Sequence, residues 1–163
     1  RLKFSSASQD FFSEDGMTGF EASGRLRGIV LHDIMSRVIV PGDLAGAVEE
    51  SFVDGSIDLK EKDEILELLA GRIESAAERG WFPGDRSMVL TETSVISSDG
   101  EIHRPDRVIV DGDKVVVVDY KFGTEEKSYL RQVRRYAELY RSMGYSDVKA
   151  YLWYVEKNEV VEA

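Results

Sequence analysis

Two aspartates and a lysine near the ends of two predicted strands are the residues best suited to chemistry. The apolar run Val115–Val118 indicates a buried strand, and it leads directly into Asp119 and Lys121. Because side chains alternate between the faces of a strand, Asp119 and Lys121 point to one side and Tyr120 to the other. Asp106 lies near the start of the preceding predicted strand, and the turn between the two strands decides whether it faces Asp119.

Three turns are compatible with the sequence between these strands. A two-residue turn at Gly112-Asp113 pairs Asp111 with Lys114. That register places Asp106 directly opposite Asp119, with their Cβ atoms about 5 Å apart. A turn one residue earlier makes the two aspartates a diagonal pair on one face, and a three-residue loop places them on opposite faces.

Two close carboxylates beside a lysine favour a bound divalent cation, because such carboxylates are costly to leave unpaired. Mg²⁺ is typically held by one or two carboxylates together with waters and substrate phosphate oxygens. The lysine would position a water molecule and offset the charge that develops on the phosphorus oxygens. The pattern therefore predicts metal-assisted phosphodiester hydrolysis, with a salt-bridged pair at a strand end as the purely structural alternative.

Hydrophobic periodicity and turn residues predict the elements that position these side chains. The predicted helices cover residues 24–40, 43–53, 58–79 and 125–143. The predicted strands cover residues 87–97, 101–110, 114–120 and 148–155, with a short one near Val160. Residues 1–23 are predicted to be an irregular lead-in. This order predicts one α/β domain over residues 1–163.

Charge is distributed unevenly along the chain. The formal net charge of −10 at first argues against a nucleic-acid partner. Residues 41–80 hold eleven acidic and four basic residues, a net charge of −7, whereas residues 101–145 hold eight acidic and nine basic residues. The excess negative charge is thus concentrated in one helical segment, and the predicted site can lie on a neutral or basic face.

Composition excludes several classes of site. The chain has no cysteine, which removes disulfides, cysteine-ligated zinc, iron–sulfur clusters and thiol nucleophiles, and it fits a reducing, cytoplasmic location. No apolar stretch approaches the ~20 residues that span a bilayer, so no membrane partner is expected. The sequence begins without Met, which predicts a fragment of a longer polypeptide.

These motifs resemble the PD-(D/E)xK nuclease superfamily, whose signature is matched by Pro105-Asp106 and by Asp119-Tyr120-Lys121. The sequence is more closely similar to the RecB/AddA-type nuclease domain of bacterial recombination helicase–nucleases. In that type, an early helix carries a glycine and histidine four apart, matched by Gly28 and His32. The helix after the D-x-K strand carries Gln-x-x-x-Tyr, matched by residues 132–136, and Glu92 is the candidate for a glutamate on the first core strand.

The resemblance implies a restriction-endonuclease-like α/β fold. Its core has the order α-β-β-β-α-β, with a mixed central sheet flanked by helices and additional N-terminal helices. The acidic residues 41–80 would be a helical insertion into that core. Related domains that hold an iron–sulfur cluster need four cysteines, so this chain resembles the cluster-free branch.

The resemblance also implies roles for the matched residues. The expected ligands of Mg²⁺ or Mn²⁺ are His32, Asp106, Asp119 and the backbone carbonyl of Tyr120. The expected catalytic residues are Asp106, Asp119, Lys121, Gln132, Tyr136 and Glu92. Arg131 and Arg135 are the expected contacts to DNA phosphates, and a solvated charged helix face is the alternative for them.

We therefore expect an Mg²⁺- or Mn²⁺-dependent deoxyribonuclease. By resemblance it is the exonuclease module of an ATP-dependent helicase–nuclease that processes DNA ends in recombination and repair. Its expected partners are single-stranded or duplex DNA ends, and helicase domains in the same polypeptide or in a partner subunit. Two alternatives are a catalytically degenerate module for DNA binding or protein docking, and a stand-alone endonuclease.

Overall fold

A computed structural model describes residues 19–163 of the chain, with side chains from Ser23 onward. The helices in this range are α1 (Gly19–Ser36), α2 (Leu44–Val53), α3 (Leu59–Glu78) and α4 (Lys127–Ser142). The strands are β1 (Val89–Thr91), β2 (Val95–Ile96), β3 (Ile102–His103), β4 (Arg107–Asp111), β5 (Lys114–Lys121), β6 (Asp147–Tyr154) and β7 (Glu159–Glu162). None of the described helices is long and apolar enough to cross a membrane.

Five strands form a mixed sheet in the order β1-β4-β5-β6-β7. Only β5 and β6 run parallel, and α4 is the crossover that connects them. The remaining strands β2 and β3 form a separate two-stranded hairpin in the connection from β1 to β4. The predicted mixed sheet with flanking helices is confirmed, and the hairpin is an addition to the predicted core.

Two of the predicted strands are each divided into two shorter strands in the structure, and the inner parts form the hairpin. The predicted strand over residues 87–97 becomes β1 and β2, since Glu92 has a φ of 50° and turns the chain out of the sheet. The predicted strand over residues 101–110 becomes β3 and β4. Pro105 lies at that break and has no N–H to donate to a ladder.

The predicted helices α2, α3 and α4 are confirmed, and their observed ends agree with the predicted ends to within two residues. A capping box begins α3, in which the Glu61 N–H donates to Asp58 Oδ1 at 2.8 Å and the Asp58 N–H donates to Glu61 Oε1 at 3.1 Å. The predicted stop at Gly80 is also present, because this residue adopts the left-handed φ of 80° that favours glycine.

Helix α1 differs from its prediction at both ends. It begins at Gly19, so the irregular lead-in predicted for residues 1–23 is wrong for its last five residues; residues 1–18 lie outside the described part of the chain. It ends at Ser36 rather than at Val40. Residues 38–40 are β-branched and precede Pro41, which favours the extended backbone seen at Val40.

Helices cover both faces of the sheet. On one face α1, α2 and α3 build an apolar core with the sheet, which includes Leu31, Ile34, Leu69, Trp81, Val118 and Trp153. On the other face α4 packs with a second set, which includes Val133, Tyr136, Tyr140, Val115, Val117 and Val148. The alternation along β5 thus directs Tyr120 into the three-helix face, and it leaves Asp119 and Lys121 on the side of α4.

A fully buried arginine connects three distant parts of the fold. Arg107 Nε donates to the Tyr120 hydroxyl at 2.8 Å, and its Nη1 donates to the Trp81 carbonyl at 3.1 Å. Its Nη2 donates to the carbonyls of Val38 and Ile39 at 2.6 and 2.7 Å. These two carbonyls lie in the segment after α1, so the guanidinium satisfies backbone acceptors outside the helices and strands.

Candidate active site

The turn between β4 and β5 brings the two predicted aspartates together. Asp111 pairs with Lys114, so the turn is the two-residue Gly112-Asp113 alternative. In this register Asp106 and Asp119 are the next facing pair beyond the start of β4. The charge of Asp106 therefore acts on Asp119, and burial together with this charge raises the pKa of the Asp119 carboxyl group.

Asp106 is the centre of a buried cluster of polar groups. Its Oδ1 lies 2.9 Å from His32 Nε2, and its Oδ2 accepts a hydrogen bond from the Tyr120 N–H at 2.7 Å. The charge of Asp106 also acts on the Glu92 carboxyl, whose pKa is raised by burial and by this charge. Single donor atoms of His32, Glu92 and Asp106 lie within 4.8 Å of one another, a spacing that one metal ion can bridge.

Glu92 is held beside Asp106 by an unusual backbone conformation. Its φ of 50° lies in the left-handed region, which is uncommon for residues other than glycine and is frequent at functional sites. Its N–H donates to the Asp106 carbonyl at 3.3 Å, so β1 still borders β4 at this point. Glu92 Oε1 is buried without a hydrogen-bond partner among the described residues, which leaves this oxygen available to a cation.

Helix α1 brings His32 to the cluster because Gly28 allows a close approach. A Cβ atom on Gly28 would lie 3.2 Å from the Cβ of Phe122, which directly follows Lys121. The absence of a side chain at Gly28 therefore lets α1 lie close to the end of β5. His32 lies one turn further along the same helix face, where its ring also contacts the rings of Tyr120 and Phe122.

Lys121 is held on three sides. Its Nζ lies 2.8 Å from Asp119 Oδ2, donates to Gln132 Oε1 at 3.2 Å, and lies 4.2 Å from the ring centroid of Tyr129. Gln132 is thus in contact with the lysine of the D-x-K motif. Tyr129 was missed at the sequence level, and its only signal is its position one turn before Gln132 on α4.

Of the other predicted residues on α4, one is buried in the core and two are exposed. Tyr136 is buried in the core on the α4 side, and its ring packs against that of His103 with 6.0 Å between centroids. Arg131 is exposed. Arg135 is also exposed, and its Nη2 lies 3.1 Å from Asp99 Oδ2 in the turn of the β2–β3 hairpin.

Burial and mutual repulsion distribute protons unevenly over these groups. Burial and the charge of Asp106 raise the pKa of Asp119 to about 8 and that of Glu92 to about 7. Burial also disfavours the charged forms of Asp106 and His32, but their contact outweighs it, lowering the pKa of Asp106 to about 2 and raising that of His32 to about 9. At neutral pH the cluster therefore keeps protons on both Asp119 and His32.

Comparison with known protein families gave one finding. Residues 4–163 match the profile of the PD-(D/E)XK nuclease superfamily. The chain belongs to this nuclease superfamily. The superfamily and the restriction-endonuclease-like fold predicted from the sequence are thus confirmed. Comparison with curated proteins gave no significant match.

The donor set of this PD-(D/E)XK nuclease fits a divalent metal, which enzymes of the superfamily generally use. Carboxylates and an imidazole are suitable ligands for Mg²⁺ and Mn²⁺. The buried, unpaired Glu92 oxygen and the protons held by neighbouring groups indicate a cluster with excess negative charge, which a cation would balance. Among the described residues, His32, Glu92 and Asp106 offer donor atoms that all lie within 4.8 Å of one another.

Proposed function

We propose that this nuclease is a divalent-metal-dependent deoxyribonuclease of the RecB/AddA type. The observation that carries the proposal is the convergence of His32, Glu92 and Asp106 within 4.8 Å, next to the contact between Asp119 and Lys121. The signature residues of the superfamily and the histidine of the RecB/AddA-type helix motif thus meet in one cluster. A scaffold without activity would have no need for so much buried charge.

In this proposal His32, Glu92 and Asp106 bind the metal. Asp119 becomes a further ligand when it loses its proton, and the Tyr120 backbone carbonyl is the remaining proposed ligand. When bound, Mg²⁺ or Mn²⁺ supplies positive charge beside the scissile phosphate and acidifies a water molecule.

Lys121 orients the attacking water and donates a hydrogen bond to the phosphate oxygen on which negative charge develops. Burial opposes its charge, but the neighbouring Asp119 carboxyl raises the pKa of Lys121 above its usual value, so the ammonium remains protonated. Gln132 supports this role because its Oε1 accepts a hydrogen bond from the Lys121 ammonium. Tyr136 is proposed to support the site from the same helix.

We further propose that residues 1–163 form one nuclease domain of a larger cytoplasmic helicase–nuclease. The matches at Gly28 and His32, and at Gln132 and Tyr136, support this assignment to the RecB/AddA type. The acidic segment of residues 41–80, proposed as a helical insertion, repels DNA in bulk solution. Delivery of a DNA end by helicase domains would overcome that repulsion, with Arg131 and Arg135 meeting the phosphates.

The test is cleavage of end-labelled linear single- and double-stranded DNA, and of a covalently closed circle, in Mg²⁺, Mn²⁺ or EDTA. We expect metal-dependent loss of the linear DNAs and resistance of the circle. Lys121→Ala should lower the rate at least about 100-fold, since it removes the group that orients the water. Lys127→Ala is the matched control, because Lys127 is an exposed lysine at the start of α4.

Other outcomes would favour the alternatives. Cleavage of the closed circle would favour a stand-alone endonuclease. If no DNA is cleaved with any metal, calorimetry with Mn²⁺ on the wild type and on Asp119→Ala separates two cases. Metal binding that depends on Asp119 would indicate a competent site that lacks its helicase partner, whereas no metal binding would favour the degenerate module.

A further inference from the structure

The β2–β3 hairpin exposes an apolar pair on its outer face. Ile96 and Ile102 face each other across the two strands and are 68% and 67% exposed. The neighbouring pair on the opposite face consists of Val95, which is buried in the core on the α4 side, and His103, which packs on Tyr136. The hairpin is therefore anchored on its inner face and has two isoleucines open to solvent on its outer face.

The chain itself keeps this hairpin close to the metal-donor group. Ile96 follows Glu92 by four residues, and Ile102 precedes Asp106 by four residues. An extended chain spans at most about 3.6 Å per residue, so the Cα atom of each isoleucine lies within about 15 Å of its site residue. The isoleucine pair is therefore close to the metal-donor group.

Arginines border the same hairpin. Arg135 of α4 contacts Asp99 in the hairpin turn at 3.1 Å, so the exposed face of α4 adjoins the hairpin. Arg131 is one turn earlier on α4 and directly precedes Gln132, which contacts the lysine of the site. Arg104 follows β3 at the base of the hairpin. Arg104 thus places a cation at the base of the hairpin, and Arg131 places another on the neighbouring surface of α4.

We propose that Ile96 and Ile102 bind unpaired bases of the DNA strand that is cleaved, while Arg104 and Arg131 meet its phosphates. Single-stranded DNA presents apolar base faces beside charged phosphates, and proteins that bind it combine a cationic groove with apolar or aromatic contacts. This inference rests on the proposed function and names the part of the substrate that the hairpin contacts.

The test compares wild type with the double variant Ile96→Thr/Ile102→Thr. Threonine is β-branched and suits exposed strand positions, so the hairpin should keep its structure. Val53→Thr is the matched control, because Val53 is 76% exposed at the end of α2, on the three-helix side of the sheet. Fluorescence anisotropy at low salt in EDTA would measure binding of a labelled single-stranded oligonucleotide, and of the same oligonucleotide with abasic sites in place of bases.

We expect the double variant to bind the normal oligonucleotide at least about fivefold more weakly than the wild type does. On the abasic oligonucleotide we expect the two proteins to have the same affinity. Val53→Thr should match wild type on both. Equal affinity of wild type and double variant for the normal oligonucleotide would overturn the hairpin inference. Metal-dependent cleavage by the wild type would in that case leave the proposed function standing.

Two further outcomes have separate meanings. A wild type that binds neither oligonucleotide would overturn this inference, and the Mn²⁺ calorimetry described above would then decide the proposed function. Sedimentation of the wild type and of the double variant tests whether a second copy of the chain binds to the isoleucine face. If the wild type self-associates and Ile96→Thr/Ile102→Thr is monomeric, the isoleucine face joins two copies of the chain, and the proposed contact with bases is wrong.

Discussion

Asp119 and His32 hold protons in the folded protein at pH values where the unfolded chain has released them. The pKa of Asp119 rises from 3.8 to about 8, and that of His32 rises from 6.5 to about 9. Between pH 6.5 and 9 the folded state therefore binds more protons than the unfolded state, and the free energy of unfolding decreases as pH rises. We expect the Tm of the metal-free protein to fall across this window, measured by thermal denaturation.

Saturating Mn²⁺ should recover part of this lost stability at pH 9, because the cation replaces the protons and binds only the folded site. Asp119→Asn is the control variant, since an amide does not ionise and its pH dependence should be flatter than that of wild type. A wild-type Tm that is constant from pH 6.5 to 9 would contradict the proton distribution described for the cluster.

Tyr129 offers a second test at the level of one residue. Tyr129→Phe keeps the ring 4.2 Å from the Lys121 ammonium, whereas Tyr129→Leu removes it. A cation–π contact of about 1 kcal/mol corresponds to about fivefold in rate. We expect Tyr129→Leu to lower kcat by about that factor without a change in KM, and Tyr129→Phe to retain the wild-type kcat in steady-state cleavage of a short oligonucleotide. Equal losses in both variants would assign the effect to the hydroxyl.

The residues of the cluster differ in how far the sequence could predict them. Strand alternation is a local rule, so it was sufficient to place Asp119 and Lys121 on one face. The position of Asp106 depended on which of three turns forms, and only the structure selects the turn that places it opposite Asp119. Glu92 was identified only through family order, because its left-handed backbone ends a strand that its neighbours favour. Tyr129 was missed because its role depends on how α4 packs against β5, which no local pattern specifies.

At the level of elements, two glycines of α1 provide a matched pair. A Cβ atom on Gly24 would meet nothing within 4 Å, whereas a Cβ atom on Gly28 would lie 3.2 Å from the Cβ of Phe122. Alanine favours a helix over glycine by up to about 1 kcal/mol, so Gly24→Ala should raise Tm. Gly28→Ala should instead displace α1 by a few tenths of an ångström and move His32 relative to Asp106.

We expect Gly28→Ala to weaken Mn²⁺ binding about tenfold in calorimetry, as is usual when a ligand loses its orientation. Gly24→Ala should bind Mn²⁺ as the wild type does. If Gly28→Ala binds Mn²⁺ with wild-type affinity and has a raised Tm, then the close approach of α1 does not position His32.

The elements that the sequence predicted best are those whose apolar pattern is self-contained. Helices α2, α3 and α4 each have a regular apolar stripe and polar ends, and their bounds agree with the predictions to within two residues. The predicted end of α1 was wrong, because the backbone that follows the helix also depends on a distant partner. The carbonyls of Val38 and Ile39 are hydrogen-bonded to Arg107, about 70 residues later in the chain, and no local signal encodes that contact.

At the level of the whole molecule, Arg107 is the residue whose replacement should cost the most stability. Its guanidinium joins the end of α1, the Trp81 carbonyl and the Tyr120 hydroxyl through a fork that a lysine does not reproduce. We expect Arg107→Lys to lower the free energy of unfolding by about 3 kcal/mol, measured by urea denaturation. Arg134→Lys, at an exposed position of α4, should change it by less than about 0.5 kcal/mol. Equal urea midpoints for the two variants would refute this role of Arg107.

The distance along the chain between His32 and Asp106 also matters for biosynthesis. The two residues whose side chains meet at 2.9 Å are 74 positions apart in the sequence. A ribosome adds that many residues in about 4 to 15 s, so α1 emerges well before the strands that complete the site. During that interval the nascent polypeptide carries His32 without Asp106. Each new chain thus lacks a competent metal-donor group until β4 and β5 have been made and have folded against α1.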